Sequence, residues 1–224
     1  MIIIQLVLLL LCPALLWSGQ GMYPVPMVYQ VAGSVPVTVS DNFEGDLSAW
    51  TIVRGSWDIV AGGPGDNYLS SSVSNGVISY NTSIGSINQW VLVVYKDIQY
   101  AGAYFRFTGS DTAPAYAVGA KVGSTIAWQS CTGDNCTTID TWSHTVTPGS
   151  YIGAEIAGTD TETICRMWDF GQSPPADRDS WGIADFISTA DPVEAADTGQ
   201  YIGLYSGSTE TELFDNFSGG GFLP

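Results

Sequence analysis

From residue 37 onward, apolar and polar positions alternate in short runs, and no stretch holds a helical apolar stripe over three turns. The runs VTVSDNF, WTIV, SWDIVAG, NYLSSSV, GVISYN, WVLVVYKDIQY and AYFRFTG read as strands, being rich in β-branched and aromatic residues. AYAVGAKVG, TIAWQS, YIGAEIAG, ICRMWDF, YIGLYSG and ELFDNFSG continue the series. Gly-Gly-Pro-Gly, Ser-Asn-Gly and Thr-Gly-Asp-Asn supply turn signals between them. Residues 171–200 are rich in Pro and Asp and predict long loops around one short strand. Short strands without helical crossovers predict an all-β fold, an antiparallel two-sheet sandwich or a barrel.

The pattern is different at the start. Residues 1–40 carry no charged side chain, and IIIQLVLLLLCPALLW fills positions 2–17. That run is shorter than the ~20 residues a membrane-spanning helix needs, but it suits the apolar segment of a signal peptide. Small residues in SGQG place the expected cleavage after Gly21, although no Lys or Arg follows Met1. A retained apolar arm that packs on a neighbouring subunit is the other reading. The expected organisation is therefore a signal-like segment or arm at 1–21 and a Pro-rich extended connector at 22–36. A β-sandwich at 37–220 and a tail at 221–224 complete it.

Composition narrows the function. With 45% hydrophobic and 12% charged residues over 224 positions, one domain with a sizeable core is expected. A net charge of −16 argues against nucleic acid as a partner, because phosphate backbones are repelled. Cys131 and Cys136, in CTGDNC, flank a turn and suit a disulfide; half of a zinc site is the alternative, without a second pair or a suitable His nearby. A disulfide fits an oxidising compartment. Cys165 is expected to be a buried strand residue, and glycosylation sequons stand at Asn81, Asn135 and Asn216.

The stretches DNFEGDLSAWTIVRGSWDIV and DTGQYIGLYSGSTETELFDNFSGG, with YIGAEIAGTDTETICRMWDFGQSPPADRDSWG between them, resemble a concanavalin-A-like (laminin-G-like) jelly roll. Versions of that fold occur in bacteriophage structural proteins and in glycan-binding modules. The resemblance spans residues 37–220 and is specific to fold, since the fold hosts lectins, glycosidases and adhesive scaffolds alike. It implies that the first and last strands lie side by side. The tripeptide Asp-Asn-Phe, present at 41–43 and 215–217, is then expected to appear twice on paired strands. It also implies a structural calcium at that junction, with Asp41, Glu44 and Asp215 at the matching places; turn capping is the competing role for these three.

Catalytic signatures are weak. The Glu-x-Asp-x-x-Glu run of laminarinase-type glucanases is absent; the glutamates stand at 44, 155, 162, 194, 210 and 212. His144 has no nucleophile elbow to serve, and WDFG at 168–171 lacks the other kinase motifs. Glycan binding needs aromatic platforms beside polar groups. Trp128, Trp142, Trp168 and Trp181 are the candidates, and Trp50 and Trp57 are expected in the core. The expected function is non-enzymatic: surface or structural work in assembly or adhesion, on a virion or outside the cell. Partners would be identical subunits or other structural proteins, reached through the N-terminal arm. The alternative is a secreted carbohydrate-binding, lectin-like module, and a glycoside hydrolase ranks last.

Overall fold

The computed structural model describes residues 37–223 apart from 64–65, 98–99, 121–124, 160–161, 191–198 and 210. The segments expected at 1–21 and 22–36 lie outside the described residues. In chain order the strands are β1 Thr38–Asp41, β2 Trp50–Arg54, β3 Trp57–Gly63, β4 Asp66–Ser71 and β5 Gly76–Tyr80. Next come β6 Gln89–Asp97, β7 Ala101–Phe107, β8 Pro114–Ala120, β9 Ile126–Thr132 and β10 Asn135–Trp142. The last are β11 Ser150–Thr159, β12 Glu162–Asp169, β13 Phe186–Ala190, β14 Tyr201–Ser206 and β15 Glu212–Gly221.

Two antiparallel sheets form the expected sandwich. The first runs β13-β12-β11-β6-β15-β4-β3, with β1 added on β15; the second runs β10-β9-β8-β7-β14-β5-β2. Period-two alternation explains the layers. Along β12, Cys165 and Met167 enter the core while Arg166 and Trp168 point the other way. Along β6, Val91, Val93 and Tyr95 are core residues, whereas Trp90 and Leu92 belong to a separate outer cluster. Trp50 and Trp57 are buried in the core, as expected.

One core requirement bends a strand. Phe214 and Phe217 are both core residues, an odd spacing that plain alternation forbids. The chain inserts an extra residue between Asp215 and Ser218 relative to Val94 and Leu92 on β6. Asn216 takes the left-handed conformation there, φ 45°, which Asn tolerates better than most residues.

The first and last strands pair with Asp41 opposite Phe217, so the two Asp-Asn-Phe copies are neighbours, as the resemblance implied. Each Asp caps its own turn: Phe43 N–H donates to Asp41 Oδ1 at 2.7 Å, and Asn216 N–H to Asp215 Oδ1 at 2.8 Å. Cys131 and Cys136 are joined by a disulfide across the β9–β10 hairpin, whose turn places Gly133 at φ 57°. Cys165 is free and buried.

A strap covers the outer face of the first sheet. Residues 170–185 leave β12, run through Pro174 and Pro175 and a 3-10 turn at Arg178–Ser180, and return to β13. Asp177 and Ser180 cap that turn reciprocally. The strap is sewn to β11 by Tyr151 N–H to Gly171 O at 2.7 Å and Phe170 N–H to Tyr151 O at 3.0 Å. Gly153 is required beneath it, since a Cβ there would lie 2.8 Å from Phe170 and 3.0 Å from Trp181.

Candidate functional site

The four tryptophans expected as platforms have different fates. Trp128 is fully buried in the core and has no face to offer, a correction that follows from its inward position on β9. Trp181 of the strap is buried against Trp168 and Trp90 of the sheet, packed edge-to-face with ring centroids 5.0 and 5.5 Å apart, so Trp168 is covered too. Of the four, Trp142, at the end of edge strand β10, is the one that stays half-buried, and it lines a hollow.

That hollow measures about 580 Å³ and is lined by Trp142, His144, Thr147, Asp169, Gln172 and Asp185, among others. The His144 imidazole stacks on the Trp142 indole with centroids 4.1 Å apart and planes 12° off parallel. Phe186 of β13 also lies near parallel to that indole, at 6.1 Å. His144 Nε2 stands 2.6 Å from Asp169 Oδ2. A carboxylate only accepts, so the Nε2 proton of His144 is donated to Asp169. The second Asp169 oxygen accepts from Gly171 N–H at 2.8 Å, and Asp169 N–H donates to Asp185 Oδ2 at 3.0 Å. The site thus combines flat ring faces with oriented carboxylates and the exposed Gln172 amide. Sequence reasoning found Trp142 but not His144, Asp169 or Asp185, which join it from β12 and two loops.

The carboxylates expected to hold calcium are each committed elsewhere. Asp41 uses one oxygen on Phe43 N–H and the other on the Trp50 indole N–H, at 2.7 Å each. Glu44 accepts from the Asn67 backbone and side-chain amides. Asp215 pairs with Lys96 Nζ at 3.3 Å; burial pushes its carboxyl above the ordinary value, and Lys96 opposes that rise. No group of three or more His, Cys, Asp or Glu side chains is placed to hold a metal ion among the described residues. As placed, the three do not converge on a calcium-sized site.

The remaining glutamates described are structural or exposed. Glu155, 2% exposed on β11, is gripped by Arg178 Nε at 2.6 Å and Arg166 Nη1 at 3.4 Å. The Arg178 guanidinium also lies 4.4 Å from the Phe222 ring. Glu212, fully buried, accepts from Tyr100 N–H at 3.0 Å. Glu162 is exposed.

Comparison with protein-family models found no match, and neither did comparison with curated proteins. Solved structures do match. The carbohydrate-binding module CBM66 from Bacillus subtilis is 14% identical with a TM-score of 0.51, over 76% of this chain and 94% of that one. The VIP36 exoplasmic/lumenal domain in its Ca2+/Man3GlcNAc-bound form is 10% identical with a TM-score of 0.47, over 80% and 86% of the two chains. Xylan beta-1,4-xylosidase from Bacillus halodurans C-125 is 10% identical with a TM-score of 0.48, over 80% of this chain but 38% of that one. At such identities the likeness speaks of fold, and what the chain shares with the Bacillus subtilis module is the two-sheet antiparallel β-sandwich.

Proposed function

We propose that this chain is a carbohydrate-binding β-sandwich that works by recognition rather than catalysis, with the Trp142–His144 hollow as its site. The observation that carries this reading is the stacked Trp142–His144 pair beside Asp169 at the mouth of an open hollow. Apolar C–H faces of a sugar suit the rings, and its hydroxyls suit the carboxylates and the Gln172 amide. That the Bacillus subtilis fold neighbour is a carbohydrate-binding module supports the same reading. It is the lectin-like alternative from the sequence that gains here. The assembly or adhesion expectation leaned on the N-terminal arm, outside the described residues. The Cys131–Cys136 disulfide supports an extracellular or lumenal setting.

The test is a glycan array with the full-length protein, in calcium and again in chelator. Trp142→Ala and the surface change Gln172→Ala are run in parallel, with near-ultraviolet circular dichroism as the check on folding. Binding to a defined sugar class that Gln172→Ala weakens and Trp142→Ala abolishes supports the site. A folded wild type that binds no glycan overturns the reading and returns weight to a structural role. Loss of binding in chelator would reveal a calcium requirement.

A further inference from the structure

A second feature lies along the strap. Two hollows of about 460 and 810 Å³ share Leu92, Pro175 and Ser218 in their linings and so adjoin along the strap, end to end as a groove. Pro174, Pro175 and the Asp177–Asp179 segment of the strap make one wall. Strand β1 and the turn after it make the other, with Thr38, Ser40, Asn42 and Ser48. Asn216 and Ser218, at the bulge of β15, line the groove between them. The bulge that carries Phe217 into the core is thus the same feature that leaves Asn216 exposed on this surface.

We infer that this groove binds an extended, neutral polysaccharide chain, as a second contact that adds to the Trp142 hollow. The inference rests on the proposed carbohydrate-binding reading. Its chemistry is that of a sugar chain. The hydroxyls of Thr38, Ser40 and Ser218 and the amide of Asn216 have no protein partner among the described residues. Tyr151, Leu92, Trp181 and Phe222 set apolar surface beside them. Most charged lining groups are already used: Asp41 by Phe43 and Trp50, Asp46 by Ser48 N–H at 2.9 Å, Asp177 by Ser180 N–H at 2.9 Å, and Arg178 by Glu155, whereas Asp179 stays exposed. Hydroxyl and amide groups beside apolar strips match a chain of neutral pyranose or furanose rings. The rim carboxylates Asp46, Asp177 and Asp179, on a chain of net charge −16, oppose an anionic one. A groove also engages successive sugars, whereas a compact hollow engages one or two.

The test is titration of the full-length protein with neutral β-linked gluco-oligosaccharides, from the disaccharide to the octasaccharide, and with whichever neutral series the array selects. The Asn42→Ala/Asn216→Gly double variant is compared; glycine keeps the left-handed backbone at position 216. Hydroxyethylcellulose and carboxymethylcellulose in affinity gels supply the charge comparison. The expected result is a gain of about tenfold or more in affinity with chain length, lost in the double variant while short-oligosaccharide binding is unchanged. Glycan binding that is independent of length, or a gain that survives in the double variant, overturns the groove and leaves the Trp142 reading standing. Tighter retention by the carboxymethylated polymer overturns the neutral class. Absence of any glycan binding overturns both.

Discussion

Asp41 and Phe217 stand opposite each other across the β1–β15 pair, and both converge on the indole of Trp50. Asp41 accepts the indole N–H at 2.7 Å, and the Phe217 ring meets the indole edge-on at 4.9 Å. Phe43, held at φ 58° by its Asp41 cap, packs on the same indole at 5.7 Å. The repeated tripeptide is therefore a latch: one copy donates the carboxylate, both donate a phenylalanine, and Trp50 joins them.

Removing the acceptor from that latch leaves a buried indole N–H unpaired, which costs about 1–3 kcal/mol. Asp41→Ala is expected to lower the urea unfolding free energy by that amount. Asp41→Asn, which keeps an acceptor oxygen, is expected to lose less. Equal losses in the two variants would show that one neutral acceptor cannot stand in for the carboxylate, whose two oxygens serve Phe43 and Trp50.

Glu155 holds the strap. Its carboxylate is 2% exposed and grips Arg178 of the strap and Arg166 of β12, both about one third exposed. Taking away this buried acid strands two cations, but their partial exposure lets water screen them, so about 1–3 kcal/mol is expected for Glu155→Gln. The specific sign is local: trypsin is expected to cut after Arg178 in the variant before the wild type is cut there. Unchanged cleavage would mean that the Trp90–Trp168–Trp181 packing secures the strap alone.

The hairpin disulfide and the free thiol are expected to behave oppositely. The Cys131–Cys136 bond closes a short loop, with a sequence separation of 5, so replacing both by Ser is expected to cost about 2 kcal/mol or less. Cys165 is fully buried, and burial pushes its thiol well above the ordinary value. Maleimide is expected to reach Cys165 only after denaturation, as peptide mapping of the adduct would show. Rapid native labelling at Cys165 would contradict its placement in the core.

Much of the sandwich was legible because its strands are short runs rich in β-branched and aromatic residues, punctuated by turn residues; the central β6 and β7 are buried on both faces and read as near-continuous apolar runs. Strand β10 was not legible: in its run NCTTIDTW half the residues are exposed and none is fully buried, as suits an edge strand, and it carries little apolar signal. The candidate site was legible in one residue, Trp142. Its partners His144, Asp169 and Asp185 are brought in by the meeting of edge strands β10 and β13 and by the ends of the strap, relationships that local pattern does not encode. Trp168 and Trp181 looked available because they border a loop. That loop folds back over the sheet and buries them, which only tertiary packing reveals.

The outer face of the second sheet predicts an alkaline weakness. Tyr104, 3% exposed on β7, clusters there with Tyr205 and Phe107. Burial raises its phenol from the ordinary 10.0 to about 12; Asp111 adds to the rise and Arg54 opposes it. Between those two values the unfolded chain gives up the proton while the native protein keeps it, so the unfolded state gains as pH rises. Tyr104 thus contributes stability that is intact below pH 10 and lost on approach to about pH 12, at about 1.4 kcal/mol per pH unit. Tyr205 is raised in the same direction by burial and adds to the slope. Tyr104→Phe cannot ionise, so urea melts through this range are expected to show a shallower decline for the variant by about that amount per unit. Parallel declines in the two proteins would mean that the Tyr104 phenol titrates as freely in the native state as in the unfolded one, and that water reaches this face.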